Sequence, residues 1–354
     1  MVMSRQTYNV VRTVSLVTSL WVLVLSASSC GRIEAAVPAA ERAPQELVHV
    51  SMFVLPYLGY APVFIAQDAG HFARHGLEVE FIDMQSSLDA TAMVMQGKLD
   101  AASVQVTAGL FNAIGQGGQA RVVLSGSQHA SAGCAYASVI AVNTRALELS
   151  NMDSWRGRAI SVGVGGATGV SGYSLSKVLE QGNLTTADLT VERLEPATAL
   201  DALKTGKLDF ALCYEPWLTL AGDTVDAIKL IDVKDVLEDA QVGVIVFGPR
   251  LLADREIGVR FIQAYLDAVE QYRQGPTEAN VEILARHTGL EPDLLSRACW
   301  ADVPADGRIN EQSIAEFQSW ALTNGELDAL VPADVFYVDE FRDEAVRRRE
   351  DTAR

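Results

Sequence analysis

Positive charge is scarce in this chain of 354 residues: 28 Lys and Arg stand against 45 Asp and Glu, a formal net charge of −17. A surface of that sign repels the phosphate backbone and excludes nucleic acid as a partner. It also gives no long-range steering to anions, so an anionic solute would have to be held by local dipoles at its site. Cysteine is rare as well, at 4 residues: Cys30, Cys134, Cys213 and Cys299. None stands in a Cys-x-x-Cys pair or near a histidine at ligand spacing, which argues against a zinc site, and no cofactor is expected. Long apolar runs are missing too. The run 14–25 has 12 residues, well short of the roughly 20 that cross a bilayer as a helix.

That short run is informative for its surroundings. Arg5 and Arg12 precede it, and Ser26-Ala27-Ser28-Ser29-Cys30-Gly31 follows, the layout of an export signal over residues 1–29. Small residues ahead of a lone cysteine resemble a lipobox, with Ala27 where lipoproteins usually carry Leu. Cys30 is therefore expected to become the lipidated first residue of a chain held on the outer face of the cell membrane. Residues 30–46, rich in Ala, Pro and Glu and without apolar periodicity, read as a flexible spacer. Of the remaining cysteines an odd number is left, expected as buried thiols, with one disulfide open to an exported chain.

At 49% hydrophobic and 21% charged, the rest of the chain can bury a large core and is long for one domain, so two lobes are expected. From residue 48 short β-rich runs alternate with amphipathic stretches, the pattern of an α/β sheet covered by helices. Strands are expected at 48–55, 77–82, 101–105 and 121–124, with helices at 61–75, 87–96 and 108–116. The alternation then restarts, with strands at 160–164, 189–194 and 210–214 and helices at 171–181 and 197–205. Gln96-Gly97-Lys98-Leu99-Asp100-Ala101-Ala102 and Thr205-Gly206-Lys207-Leu208-Asp209-Phe210-Ala211 match across the halves, each a helix ending in glycine and then a buried strand. Two further β-forming runs, 138–143 and 242–248, are hinge candidates. From 250 onward the chain is helical, at 251–273, 277–287, 292–298, 310–324 and 338–349, ending in Arg347, Arg348 and Arg349, which read as a solvated tail. The lobes are expected as 47–142 plus 249–354, and 143–248.

The stretch Leu58-Gly59-Tyr60-Ala61-Pro62-Val63-Phe64-Ile65-Ala66-Gln67-Asp68-Ala69-Gly70-His71-Phe72, with Gly76-Leu77-Glu78-Val79-Glu80 after it, resembles the opening of a known family. So do Gly97 to Ala102, Gly163-Val164-Gly165-Gly166-Ala167-Thr168-Gly169, and Leu208 through Tyr214-Glu215-Pro216-Trp217. The family is that of the type II periplasmic binding proteins for thiamine-pyrimidine precursors, alkanesulfonates, taurine and nitrate. The resemblance implies two α/β lobes joined by crossing strands, C-terminal helices mainly on the first lobe, a ligand in the cleft, and an ABC permease with its ATPase as partners of a monomer.

In open α/β sheets ligands bind beyond the carboxyl ends of the strands, where helix starts offer free N–H groups. The loops that qualify are 55–62, 103–107, 126–136, 163–173 and 213–218. They hold no lysine or arginine, and Glu215 is their one formal charge. That inventory favours a neutral solute over sulfonate or nitrate. Tyr57, Tyr60, Tyr136, Tyr173, Tyr214 and Trp217 collect in them, faces suited to a planar heterocycle such as riboflavin or a thiamine pyrimidine. Tyr60 and Trp217 are expected to stack on it, and Gln105, Glu215 and Ser171 to bond its edges. Thr107, Gly165, Gly166 and Thr168 complete the expected ligand set, the glycines through their backbone amides. Alkanesulfonate, taurine or nitrate binding is the alternative within this class. Outside it stand a solute sensor and an enzyme like the pyrimidine synthase of similar fold. The synthase carries a run of cysteines where this chain has only isolated Cys134 and Cys213.

Overall fold

The computed structural model describes residues 46–84, 87–130, 132–163, 168–352 and 354. The expected export signal, Cys30, nearly all of the spacer, and Gly165 and Gly166 lie outside them. The described strands are β1 (Val48–Phe53), β2 (Leu77–Phe81), β3 (Ala101–Gln105), β4 (Arg121–Gln128), β5 (Ala137–Val142), β6 (Ala159–Ser161), β7 (Thr190–Glu192), β8 (Phe210–Tyr214), β9 (Ala227–Asp232) and β10 (Gln241–Phe247). They form two five-stranded sheets, ordered β2-β1-β3-β10-β4 and β7-β6-β8-β5-β9.

The two sheets have one plan. In the first, β1 pairs parallel with β2 and β3, and β10 is inserted antiparallel between β3 and β4. In the second, β6 pairs parallel with β7 and β8, and β5 is inserted antiparallel between β8 and β9. The first sheet thus receives one strand, β10, from beyond its own run of sequence, while the second is built from the consecutive strands β5 to β9. Burial follows position: edge strand β2 alternates inward and outward residues, whereas central β10, Gln-Val-Gly-Val-Ile-Val-Phe, is buried along its whole length.

The matched turns are equivalent down to single hydrogen bonds. Gly97 (φ +69°) and Gly206 (φ +72°) each end a helix, Ser87–Met95 and Pro196–Lys204. In both the glycine N–H returns to the third residue before it, and the following lysine N–H to the fifth before that lysine, closing the last helical turn. The aspartate beyond fixes the new strand to the neighbouring strand with which it pairs in parallel. Asp100 accepts from the Ser51 N–H (2.9 Å) and Asp209 from the Ala159 N–H (2.8 Å). Each carboxylate also takes an arginine from just past the inserted strand, Arg250 on Asp100 (2.6 Å) and Arg145 on Asp209 (2.5 Å).

Pairing places the runs offered as hinges inside the sheets: β5 belongs to the second sheet and β10 to the first. The chain crosses between sheets at 129–136 and 233–240. The expected helix 61–75 is two, Ala61–Asp68 and His71–Arg74, divided at Gly70 with φ +74°. The elements added to those predicted include the helix Trp217–Val225 and edge strand β9, whose residues are nearly all half-buried and so carry no clean alternation.

The C-terminal helices pack mainly on the first sheet. The long helix Arg255–Tyr272, capped by Asp254 on the Ile257 N–H, buries Phe261, Ile262, Tyr265 and Val269, and Tyr265 reaches the Ser125 carbonyl (3.0 Å). The closing arginines are not a free tail. Arg348 pairs with Glu256 and Arg349 with Asp267 and Glu270, tying the helix Glu340–Thr352 to the long one. Among the described residues no helix is long and apolar enough to cross a membrane.

Candidate functional site

The carboxyl ends of β1, β3, β4 and β8 and the start of the helix Val170–Glu180 converge between the sheets. The halves touch there: the Val170 N–H donates to the Val106 carbonyl (3.1 Å), and Thr107 bridges to Gly169. Thr107 also caps its own helix, accepting from the Leu110 N–H (3.2 Å), so its hydroxyl is committed locally.

Around this junction lies a buried aromatic group. Tyr60 follows β1 at 4% exposure, Tyr136 precedes β5 at 5%, and Tyr214 ends β8. Tyr136 meets Tyr214 edge-on at 5.6 Å between centroids. Tyr57 is half-buried beside them, and burial with the Glu195 charge raises its pKa. Desolvation raises the phenols of Tyr60, Tyr136 and Tyr214 also, so all stay protonated donors.

The packing beneath needs glycine. A methyl on Gly59 would stand 2.8 Å from the Tyr136 hydroxyl, and one on Gly243 3.0 Å from Ser127 Oγ and 3.2 Å from the Tyr60 ring. The bare backbone of Gly59 faces the Tyr136 oxygen and is the one influence that lowers that phenol's pKa.

His129 is the member the sequence did not single out. It sits at the end of β4, 1% exposed, with its ring near-parallel to Tyr214 at 6.0 Å and 6.5 Å from Tyr136. Burial lowers its pKa to about 4, so it is neutral. Neither ring nitrogen has a partner. The Tyr214 hydroxyl is close enough to those of Ser171 and Ser174 for them to draw its pKa down, yet it closes no hydrogen bond, and neither does Ser174 Oγ. The sequence signal for His129 was its place in the loop after a strand; as an isolated histidine it reads as packing.

Glu215, Trp217 and Tyr173 are placed elsewhere. Glu215 is buried and engaged: it accepts from the Thr219 N–H (3.0 Å) and hydroxyl (2.9 Å) and from the Cys299 N–H (3.2 Å). It joins the start of the helix Trp217–Val225 to the C-terminal segment. Trp217 packs on the small apolar cluster of the second sheet with Leu218 and Ala221. Tyr173 turns outward from the tyrosines, against Phe317 (5.8 Å) and Trp320 (5.4 Å) of the helix Glu311–Thr323. It lines a surface groove of about 750 Å³ with Lys177, Glu316 and Trp320. Gln105 is half-buried with its backbone in register with Gly243, Ser171 is buried, and Thr168 is exposed.

A polar clamp closes the crossing. Gln241 Nε2 donates to Ser125 Oγ (2.9 Å), the Ser127 carbonyl (3.0 Å) and the Gly243 carbonyl (2.7 Å). Its Oε1 accepts from Gln128 (3.0 Å) and the Asn310 N–H (2.9 Å). Cys134, in the first crossing, is disulfide-bonded to Cys299, leaving Cys213 a buried thiol whose pKa is raised to about 12 by burial and by Glu215. Among the described residues, no group of three or more His, Cys, Asp or Glu is placed to hold a metal ion.

Two sheets of this order, each with one strand inserted antiparallel among parallel ones, with a site at their facing strand ends, define the type II periplasmic binding-protein fold. Residues 43–286 match the NMT1-like family, and the chain belongs to it. The chain is similar to the riboflavin-binding protein RibY of Chloroflexus aurantiacus, at 26% identity over 256 residues covering 69% of each. Among solved structures it is similar to the aliphatic sulphonate-binding protein SsuA of Escherichia coli, with a TM-score of 0.66, 14% identity, and 82% and 91% of the two chains covered. It is likewise similar to the desulfurization enzyme DszB, with a TM-score of 0.65, 15% identity, and 85% and 99% covered.

Proposed function

We propose that this chain is the solute-binding component of an ABC importer, capturing an uncharged planar heteroaromatic, riboflavin or a compound like it, between the two sheets. The observation that carries this reading is the group of buried Tyr60, Tyr136 and His129 with half-buried Tyr214 at the facing strand ends, in which the Tyr214 hydroxyl and both imidazole nitrogens lack partners. Aromatic faces bury a flat ring system, and the unpartnered polar atoms await its edges. The similarity to RibY supports the same ligand class.

Sulfonate or nitrate is disfavoured by the same group. The causes that set the pKa values of the four residues are burial, other tyrosines, hydroxyls, a backbone amide and Glu215, with no lysine or arginine among them. An anion there would meet no opposite charge. Binding without turnover is proposed as well. Cys213, the free thiol among the described residues, is held protonated and is a poor nucleophile.

On this reading the lobes are 46–128 with 241–354, and 137–232, hinged at the two crossings, and Cys30 carries the lipid that keeps the monomer beside its permease. Fluorescence titration of the purified chain against riboflavin, a thiamine pyrimidine, taurine and nitrate tests the function. Saturable binding of a heteroaromatic is expected; binding of taurine or nitrate alone would overturn it.

A further inference from the structure

His129 stands where the chain leaves the first sheet. Its backbone N–H donates to the carbonyl of Ala240, where the chain re-enters (2.9 Å), so the ring is mounted on the paired crossing and not on a free loop. Native proteins satisfy their buried polar atoms, and an imidazole with both nitrogens unpartnered points to a partner that comes from outside the chain. The Tyr214 hydroxyl, on the ring lying against it, is unpartnered too.

We propose that His129 is the specificity-determining residue of the site between the sheets, reading together with Tyr214 the donor–acceptor edge of an uncharged lactam, imide or ureide. The inference rests on the solute-binding reading above. A neutral imidazole presents one N–H donor and one acceptor, and a tyrosine hydroxyl can act as either. A ligand edge with adjacent C=O and N–H answers both groups at once. A sulfonate, nitrate or carboxylate brings acceptors only and sets its charge against the imidazole lone pair. Burial keeps the ring from becoming imidazolium to receive it. The titratable groups around it do not help an anion either. Tyr136 and Tyr214 are kept neutral by burial, and the Glu215 carboxylate acting on Tyr136 is negative and already bound by Thr219 and Cys299.

The full chain, shown folded by its thermal transition, is titrated with riboflavin and with N3-methylriboflavin, in which the imide N–H is blocked. The wild type is expected to bind riboflavin about tenfold or more tightly than the methylated flavin, the scale of a lost polar contact in a site built to read it. His129→Phe, which keeps the ring's bulk and removes both polar atoms, is expected to weaken riboflavin binding by about the same factor and to bring the two flavins level. His129→Asn retains a donor and an acceptor and is expected to keep the discrimination. Equal binding of the two flavins by the wild type overturns the inference, and so does His129→Phe with unchanged affinity and discrimination. The wild-type comparison decides the matter even if His129→Phe does not fold. Failure of the wild type to bind any uncharged heteroaromatic is a different result: it removes the solute-class reading itself.

Discussion

At the scale of single residues, the site is governed by groups kept uncharged through burial. Burial pushes the His129 imidazole down from the ordinary 6.5 to about 4. Between those values the unfolded chain holds the proton and the folded chain does not, so stability is full above pH 6.5 and falls as pH drops toward 4. The stability lost across that window is roughly 3 kcal/mol. Urea unfolding at pH 7 and pH 4.5 should therefore show His129→Phe losing about 2 kcal/mol less than the wild type on acidification. Equal losses would place the imidazole in contact with water. Gly59 makes a second residue-scale case. An added methyl meets the Tyr136 hydroxyl at 2.8 Å and must displace that ring. Gly59→Ala is expected to weaken heteroaromatic binding about tenfold, some 1.4 kcal/mol, while the thermal midpoint moves little, because the displaced atom is the end of a side chain. A Gly59→Ala variant with native affinity would remove Tyr136 from the site. The residue scale was also the least legible in the sequence. Tyr57, Tyr60, Tyr136 and Tyr214 were expected together and lie together, since all stand in segments that enter or leave strands at the facing ends of the sheets. Trp217, Tyr173 and Glu215 occupy the same loops but turn to core, groove and clamp, and loop membership does not set the direction of a side chain.

Elements were legible where periodicity was strong. The restart of the β-α pattern and the twin Gly-Lys-Leu-Asp turns foretold the repeated plan, and the structure gives the reason: each aspartate fastens a new strand to the parallel strand beside it. Crossing strands were expected, but the sheet that takes each of them was not foretold. Nothing in Ser138–Val142 or Val242–Phe247 says which sheet will accept it, because buried strands of either sheet look alike. The Gln241 clamp was invisible for a related reason, its partners being about 70 and 115 residues away in sequence. Gln241→Leu should leave the Gln128 amide, the Asn310 N–H and the Ser125 hydroxyl without partners and lower stability by about 3 kcal/mol in urea unfolding. A loss below about 1 kcal/mol would show that water replaces the amide.

For the whole molecule, the Cys134–Cys299 disulfide closes a separation of 165 residues and joins the first crossing to the segment held by Glu215. Chain entropy alone assigns such a loop about 5 kcal/mol, an upper figure, so reduction should lower the unfolding midpoint markedly while Cys213→Ser should not. No change on reduction would mean that the crossing is rigid without the bond. The acidic balance of 45 Asp and Glu over 28 Lys and Arg suits a protein that recognises its solute without an electrostatic funnel. Anchoring is a separable claim: Cys30→Ser should shift the protein from the membrane fraction to the soluble exported fraction without altering ligand affinity. The central claim is that solute is held between the sheets by the tyrosine and histidine group. A crystal structure with riboflavin tests it most directly. The prediction is one flavin with its rings against Tyr60, Tyr136 and Tyr214 and its imide edge toward His129; a flavin found in the outer groove beside Tyr173 and Trp320, with the tyrosine group untouched, would contradict it.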